Sequence, residues 1–202
     1  MMESYLLAIL VSMVLITIIN IILNKKSSGK IKWQHYLFGD FLILYLVISL
    51  KDIVGFPTLS DLERKVMLGV PIFDPVLNFI PLSSGIEIST ILNIIFFMPV
   101  GFLLPTLWNK FRKFIPTVFA GFIFSLIIEV GQLFTIRATD VDDLIMNTLG
   151  TILGFILLEI LSIIFKKLSN KTMVEEYNKK DSIIKYGPYL YIGIAVISVF
   201  FS

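Results

Sequence analysis

Six stretches of this chain are apolar enough to be read as bilayer-crossing helices, and no other feature limits its fold so tightly. A membrane helix needs about 20 mostly apolar residues. The stretches run roughly Ser4–Leu23, Tyr36–Leu50, Ile88–Trp108, Phe114–Phe134, Val141–Phe165 and Tyr186–Phe201, the second and last being short. Composition agrees. Hydrophobic residues make up 56% of the 202 and charged residues 16%, against about 45–50% and 25% in soluble domains. Mean hydropathy is +0.90. So little polar surface excludes an ordinary soluble enzyme, a disordered chain and a nucleic-acid binder. A net charge of +2 calls for no anionic partner. With no cysteine and His35 alone, disulfides, thiolate zinc sites and multi-histidine metal sites are excluded. The expected fold is all-α and polytopic, with six transmembrane helices.

Loop charge sets the direction of the spans. The first loop carries Lys25, Lys26, Lys30 and Lys32, and the third Lys110, Arg112 and Lys113. The fifth carries Lys166, Lys167, Lys171, Lys179, Lys180 and Lys185. The second loop, 51–87, has three cations against five acids, and the fourth has only Arg137. The odd loops are therefore read as cytoplasmic and both termini as outside. The first stretch reads as retained, because its apolar core is longer than a signal peptide's and no small-residue cleavage site follows. The long second loop holds two apolar runs, Val66–Val70 and Val76–Ile80, expected to lie in the outer interface. The chain divides into a first helix and loop (1–34), a central membrane domain (35–165), and a lysine-rich loop with the last helix (166–202).

Polar residues inside the spans are not scattered. Charged groups in a bilayer are costly and mark function or a buried partner. If the fourth and fifth spans form a hairpin turning at Thr135–Thr139, Gln132 faces Asp143 and Glu129 faces Asn147, while Ser125 faces Gly150 and Gly121 faces Gly154. Both series keep helical spacing and so form stripes. The cytoplasmic half of this seam is small, with Gly150 and Gly154 at packing-motif spacing. The outer half is polar. Asn93 of the third span lies about 7 Å inside its outer end, on a face with Gly101. Pro99 should free a carbonyl near Ile95. Three helices are thus expected to converge on an outward-facing pocket lined by Asn93, Glu129, Gln132, Arg137, Asp140, Asp143 and Asn147, with Pro99, Gly101, Gly121, Ser125, Gly150 and Gly154 as packing positions.

Plainer roles stay open. Asp140 and Asp142 read equally well as caps of the fifth helix, with Thr139-x-x-Asp142 a competing capping box. Asn93, Gln132 and Asn147 also serve as interhelical hydrogen-bond glue, and Arg137 as an interfacial anchor. Glu129 resists such a reading, since a buried carboxylate requires strong donors or a cation. His35, Asp40 and Glu159 are expected to reach cytoplasmic water or lysines.

The pattern resembles the VanZ family of bacterial membrane proteins. It is carried by Asn93-Ile-Ile-Phe-Phe97-Met-Pro99-Val-Gly101, Glu129-Val-Gly-Gln132, Arg137-Ala-Thr-Asp140-Val-Asp-Asp143, Asn147-Thr-Leu-Gly150 and Gly154, over roughly residues 35–165. The resemblance implies low-level resistance to teicoplanin, an acylated glycopeptide, or a part in cell-envelope homeostasis, in the bacterial cytoplasmic membrane. It brings no catalytic mechanism. The reading taken forward is a non-enzymatic envelope protein whose partners are the bilayer and an amphiphilic ligand, such as a lipoglycopeptide or a lipid-linked envelope precursor. One alternative is an intramembrane enzyme with Glu129 as general acid or base; another is a small transporter or flippase. No cofactor is expected. Glu129, Asp140 and Asp143 are oxygen donors of the kind a divalent cation takes, but nothing else in the sequence supports one.

Overall fold

The computed structural model describes residues 2–26, 33–82, 85, 87–164 and 182–202. Lys30, Lys32, Lys166, Lys167, Lys171, Lys179 and Lys180 lie outside the described residues. The described chain is mostly helical: α1 Met2–Lys26, α2 Trp33–Ile48, α3 Leu59–Met67, α4 Ile88–Leu107, α5 Phe114–Gln132, α6 Val141–Ile164 and α7 Ser182–Phe200, with short strands β1 Val76–Asn78 and β2 Ala138–Asp140. Among the described residues, four segments are long and apolar enough to cross a membrane: Trp33–Lys51, Ile88–Leu107, Phe114–Gln132 and Val141–Ile163. In α1 and α7 the apolar runs are shorter, Ile9–Ile22 and Gly187–Phe200.

A single apolar core joins the helices. Leu42, Ile43, Leu46 and Val47 of α2, with Leu50 just beyond it, are buried between Ile16 of α1, Tyr191, Ala195 and Val199 of α7, and Phe97, Val100 and Leu104 of α4. The core has polar pins. Asn20 Nδ2 donates to Tyr191 Oη at 2.7 Å, and Tyr45 Oη donates to the Phe96 carbonyl at 2.6 Å. That carbonyl lies one residue beyond the one the Pro99 argument singles out. His35 is buried edge-on against Trp108, with centroids 5.7 Å apart. This corrects the expectation that it reaches water; the indole supplies a flat apolar wall that the sequence spacing does not reveal.

Among the described residues the most extensive helix contact is between α4 and α6, which run parallel. A Cβ at Gly150 would lie 2.2 Å from the Ile94 carbonyl oxygen, one at Gly154 1.9 Å from that of Met98, and one at Gly101 1.9 Å from that of Thr151. Small residues thus bring two backbones together, as lipid-embedded helices require in place of a hydrophobic drive. Gly150 and Gly154 meet α4, not Ser125 and Gly121 of α5 as the hairpin argument expects. The stripe on α6 straddles the groove between its two neighbours, and the glycines fall on the α4 side. Gly121 instead faces Thr151, where a Cβ would lie 2.2 Å from Thr151 Oγ1.

The connection after α2 closes one end of the bundle. A π-helical turn, Ser49–Ile53, leads through Val54 to Gly55, whose φ is +61°. The segment then enters α3 through a reciprocal capping box of Thr58 and Asp61. Beyond α3, β1 pairs in parallel with β2, Val76 against Ala138 and Asn78 against Asp140. This ladder ties loop 54–87 to the α5–α6 connection.

Candidate functional site

At the strand-bearing end of the bundle, polar side chains of α4, α5 and α6 meet. Glu129, Gln132 and Asn147 are 4%, 3% and 3% exposed. They reach this degree of burial because α5 is covered on three sides, by α6, by β2 and by the turn after α2. Glu129 Oε2 accepts from the Asp140 backbone N–H at 3.0 Å, and Thr139 Oγ1 donates to the Glu129 carbonyl at 3.3 Å. Asn147 Nδ2 donates to Ser125 Oγ at 2.9 Å. Asn93 Nδ2 donates to Asp143 Oδ1 at 2.5 Å and so links α4 to α6.

These contacts displace the expected pairings by one helical turn. Ser125 meets Asn147 where Gly150 is expected. Gln132 does not meet Asp143; its Nε2 donates to the Val54 carbonyl at 3.2 Å. The reason is the connection. Residues 138–140 run extended beside β1 before α6 begins, so the two helices are not joined by the tight turn the hairpin assumes.

Arg137 stands at the edge of the cluster. Its Nη1 donates to the Ile53 carbonyl at 2.9 Å, and its Nε would lie 3.2 Å from a Cβ at Gly55. Gln132 and Arg137 therefore cover carbonyls at the end of the α2 turn, groups with no partner inside their own helix.

The acids are already engaged. Asp140 caps α6: its Oδ1 accepts from the Asp142 N–H at 2.8 Å, while Oδ2 accepts from Asn78 Nδ2 at 2.9 Å. Asp142 accepts from the Leu82 N–H through both oxygens, at 2.9 Å each. The competing capping box at Thr139 and Asp142 therefore does not form, because both side chains are drawn elsewhere. Among the described residues no group of three or more His, Cys, Asp or Glu is placed to hold a metal ion. Two buried oxygens, Glu129 Oε1 and Gln132 Oε1, have no hydrogen-bond partner among the described residues.

Asn78 and Leu82 complete the cluster and were not legible in the sequence, since no periodicity links them to acids more than 50 residues away. The apolar run Val76–Ile80 marks a segment for the outer interface, but nothing in it announces the strand Val76–Asn78 or its partner.

Four long apolar helices, a fused bundle core and polar groups gathered at one helix end define a small polytopic α-helical membrane protein. The chain belongs to the VanZ/LLP1 family, whose model matches residues 5–162. No curated protein and no solved structure matches it.

Proposed function

We propose that this protein protects the cell envelope against acylated glycopeptides of the teicoplanin type, or supports envelope homeostasis, by holding the polar part of an amphiphilic ligand at the strand-bearing end of the bundle. In this reading α1 and α7 also cross the bilayer, making six spans with both termini outside the bacterial cytoplasmic membrane. Residues 35–165 form the working unit, and the segments 1–34 and 166–202 flank it. Asn93, Glu129, Gln132, Arg137, Asp140, Asp143 and Asn147 then face the outer leaflet, where such antibiotics arrive. The family supports the link to resistance. The single observation that carries the ligand reading is the pair of buried acceptors, Glu129 Oε1 and Gln132 Oε1, that lack donors. Buried polar groups are nearly always satisfied, and an exception calls for an explanation. Donors on a ligand, such as hydroxyl or amide groups, supply one.

The test compares susceptibility to an acylated glycopeptide and to its deacylated form, in strains with the gene, without it, and with Glu129→Gln. Protection is expected against the acylated form only, and the variant should reduce it. Equal shifts for both forms would remove the amphiphile from the reading.

A second reading rests on the same free carboxylate oxygen: Glu129 as general acid or base on a lipid-linked envelope substrate. Profiling lipid precursors in a Glu129→Gln strain separates the two. An accumulated precursor favours chemistry; an unchanged lipid profile beside lost protection favours binding.

A further inference from the structure

A different face of α5 carries a second feature. Leu126 and Val130 lie four residues apart, about 100° around the helix from Ser125 and Glu129, and Phe134 follows in the turn just past the helix end. Two cavities open along this face. The first, of about 390 Å³, lies under α3 and is lined by Asp61, Arg64, Lys65 and Arg137 together with apolar side chains such as Leu68 and Phe134. The second, of about 450 Å³, is wholly apolar, lined by Phe56, Leu62, Leu126, Val130, Phe134 and Phe200 among others. Phe134 is common to both. Helix α3 divides them, presenting Asp61 and Lys65 to one and Leu62 to the other.

Among the described residues, the first cavity has more positive than negative charge. The one acid among them is engaged, since Asp61 Oδ2 accepts from the Thr58 N–H at 3.1 Å and from Thr58 Oγ1 at 2.6 Å. Lys65 and Arg137 are held by carbonyl oxygens, and Arg137 also lies within electrostatic reach of Asp143. Lys65 Nζ donates to the Phe134 carbonyl at 2.8 Å and to that of Ile72 at 3.3 Å, and Arg137 to that of Ile53. Carbonyls orient these groups without cancelling their charge. A guanidinium has five N–H donors in a fork that matches phosphate, so most of those of Arg137 and Arg64 remain for a ligand. The apolar groove then runs from Phe134 to Leu126, about 12 Å along α5 toward the middle of the bilayer.

A cationic chamber at headgroup level continued by an apolar groove into the hydrocarbon fits one class of molecule. We propose that these two cavities bind an anionic phospholipid of the outer leaflet, its phosphate against Arg64, Lys65 and Arg137 and one acyl chain along Leu126, Val130 and Phe200. A free phosphate would leave the groove empty, and a zwitterionic lipid would bring a cation of its own among three others. The site shares only Arg137 with the polar cluster and stands whether or not that cluster holds a ligand; its assignment to the outer leaflet alone rests on the orientation proposed above.

Native mass spectrometry of the full chain in neutral detergent tests it, with dioleoyl phosphatidylglycerol, dioleoyl phosphatidylcholine and glycerol phosphate as probes. One phosphatidylglycerol per chain is expected, bound at least tenfold more tightly than either of the other two. Arg64→Ala removes a charge, and Val130→Trp fills the groove. Both side chains are exposed, so the fold should survive, and each change should weaken phosphatidylglycerol binding at least fivefold. Lys110→Ala, beyond the opposite end of α5, should leave it unchanged. Equal binding of the two lipids, or parental binding by both Arg64→Ala and Val130→Trp, overturns the proposal. Equal binding of glycerol phosphate and the lipid overturns the acyl-chain part and leaves an anion site alone.

Discussion

Glu129 is the residue whose local chemistry most constrains interpretation. One carboxylate oxygen is fixed by the N–H that opens β2 into α6, and the other has no donor among the described residues. Replacing it separates the two roles. Glu129→Gln keeps an acceptor for the Asp140 N–H and should leave the unfolding midpoint in detergent nearly unchanged. Glu129→Leu strands that half-buried N–H, which costs up to about 1–3 kcal/mol, so its midpoint should fall below that of the glutamine variant. Equal midpoints would mean that the hydrogen bond contributes nothing. The Asn147–Ser125 pair makes a simpler case. Interhelical hydrogen bonds in membranes average about 0.6 kcal/mol, reaching about 1.7. A double-mutant cycle of Asn147→Ala and Ser125→Ala should give a coupling in that range.

Among elements, α4 and α6 form the joint on which the polar cluster is built. Their approach depends on backbone meeting backbone at Gly101, Gly150 and Gly154, where no flexible side chain can move aside. Gly154→Ala would place a methyl 1.9 Å from the Met98 carbonyl oxygen. The helices must separate, at a cost of about 1–3 kcal/mol or more, and the Asn93–Asp143 hydrogen bond should loosen with them. Gly193 of α7 has nothing within 4 Å of the same methyl. Gly193→Ala should therefore be neutral or gain up to about 1 kcal/mol from helix propensity. Unfolding of the two variants in one detergent checks both; a Gly154→Ala protein as stable as Gly193→Ala would show that the contact yields freely.

At the scale of the whole molecule the question is which way the bundle stands in the bilayer. Its strand-bearing end carries large exposed apolar side chains, Met67 at 83% and Ile136 at 92%, as segments lying in an interface would. The proposed orientation puts that end outside. The chain has no native cysteine, so single introduced thiols report directly. Met67→Cys should react with a membrane-impermeant charged thiol reagent on intact cells, and Lys110→Cys only after the membrane is opened. The reverse pattern would invert the protein and turn the polar cluster toward the cytoplasm.

The sequence by itself determined the class of molecule. Apolar stretches of bilayer length force helices, because hydrocarbon offers the backbone no other hydrogen-bond partner. It also marked Glu129, Asn147, Asn93 and the glycine stripe, since a polar or very small residue in an apolar span needs a local reason. What it left undecided was pairing. A stripe names a helix face and not the neighbour across from it, so spacing alone pairs the glycines of α6 with α5, whereas they pack on α4, and pairs Gln132 with Asp143, whereas it covers a carbonyl of the α2 turn. Only the tertiary structure brought Asn78 to Asp140 and set Arg64, Lys65 and Arg137 around one cavity. Contacts between residues so far apart in the chain depend on how the loops fold back, and no local period of the sequence encodes that.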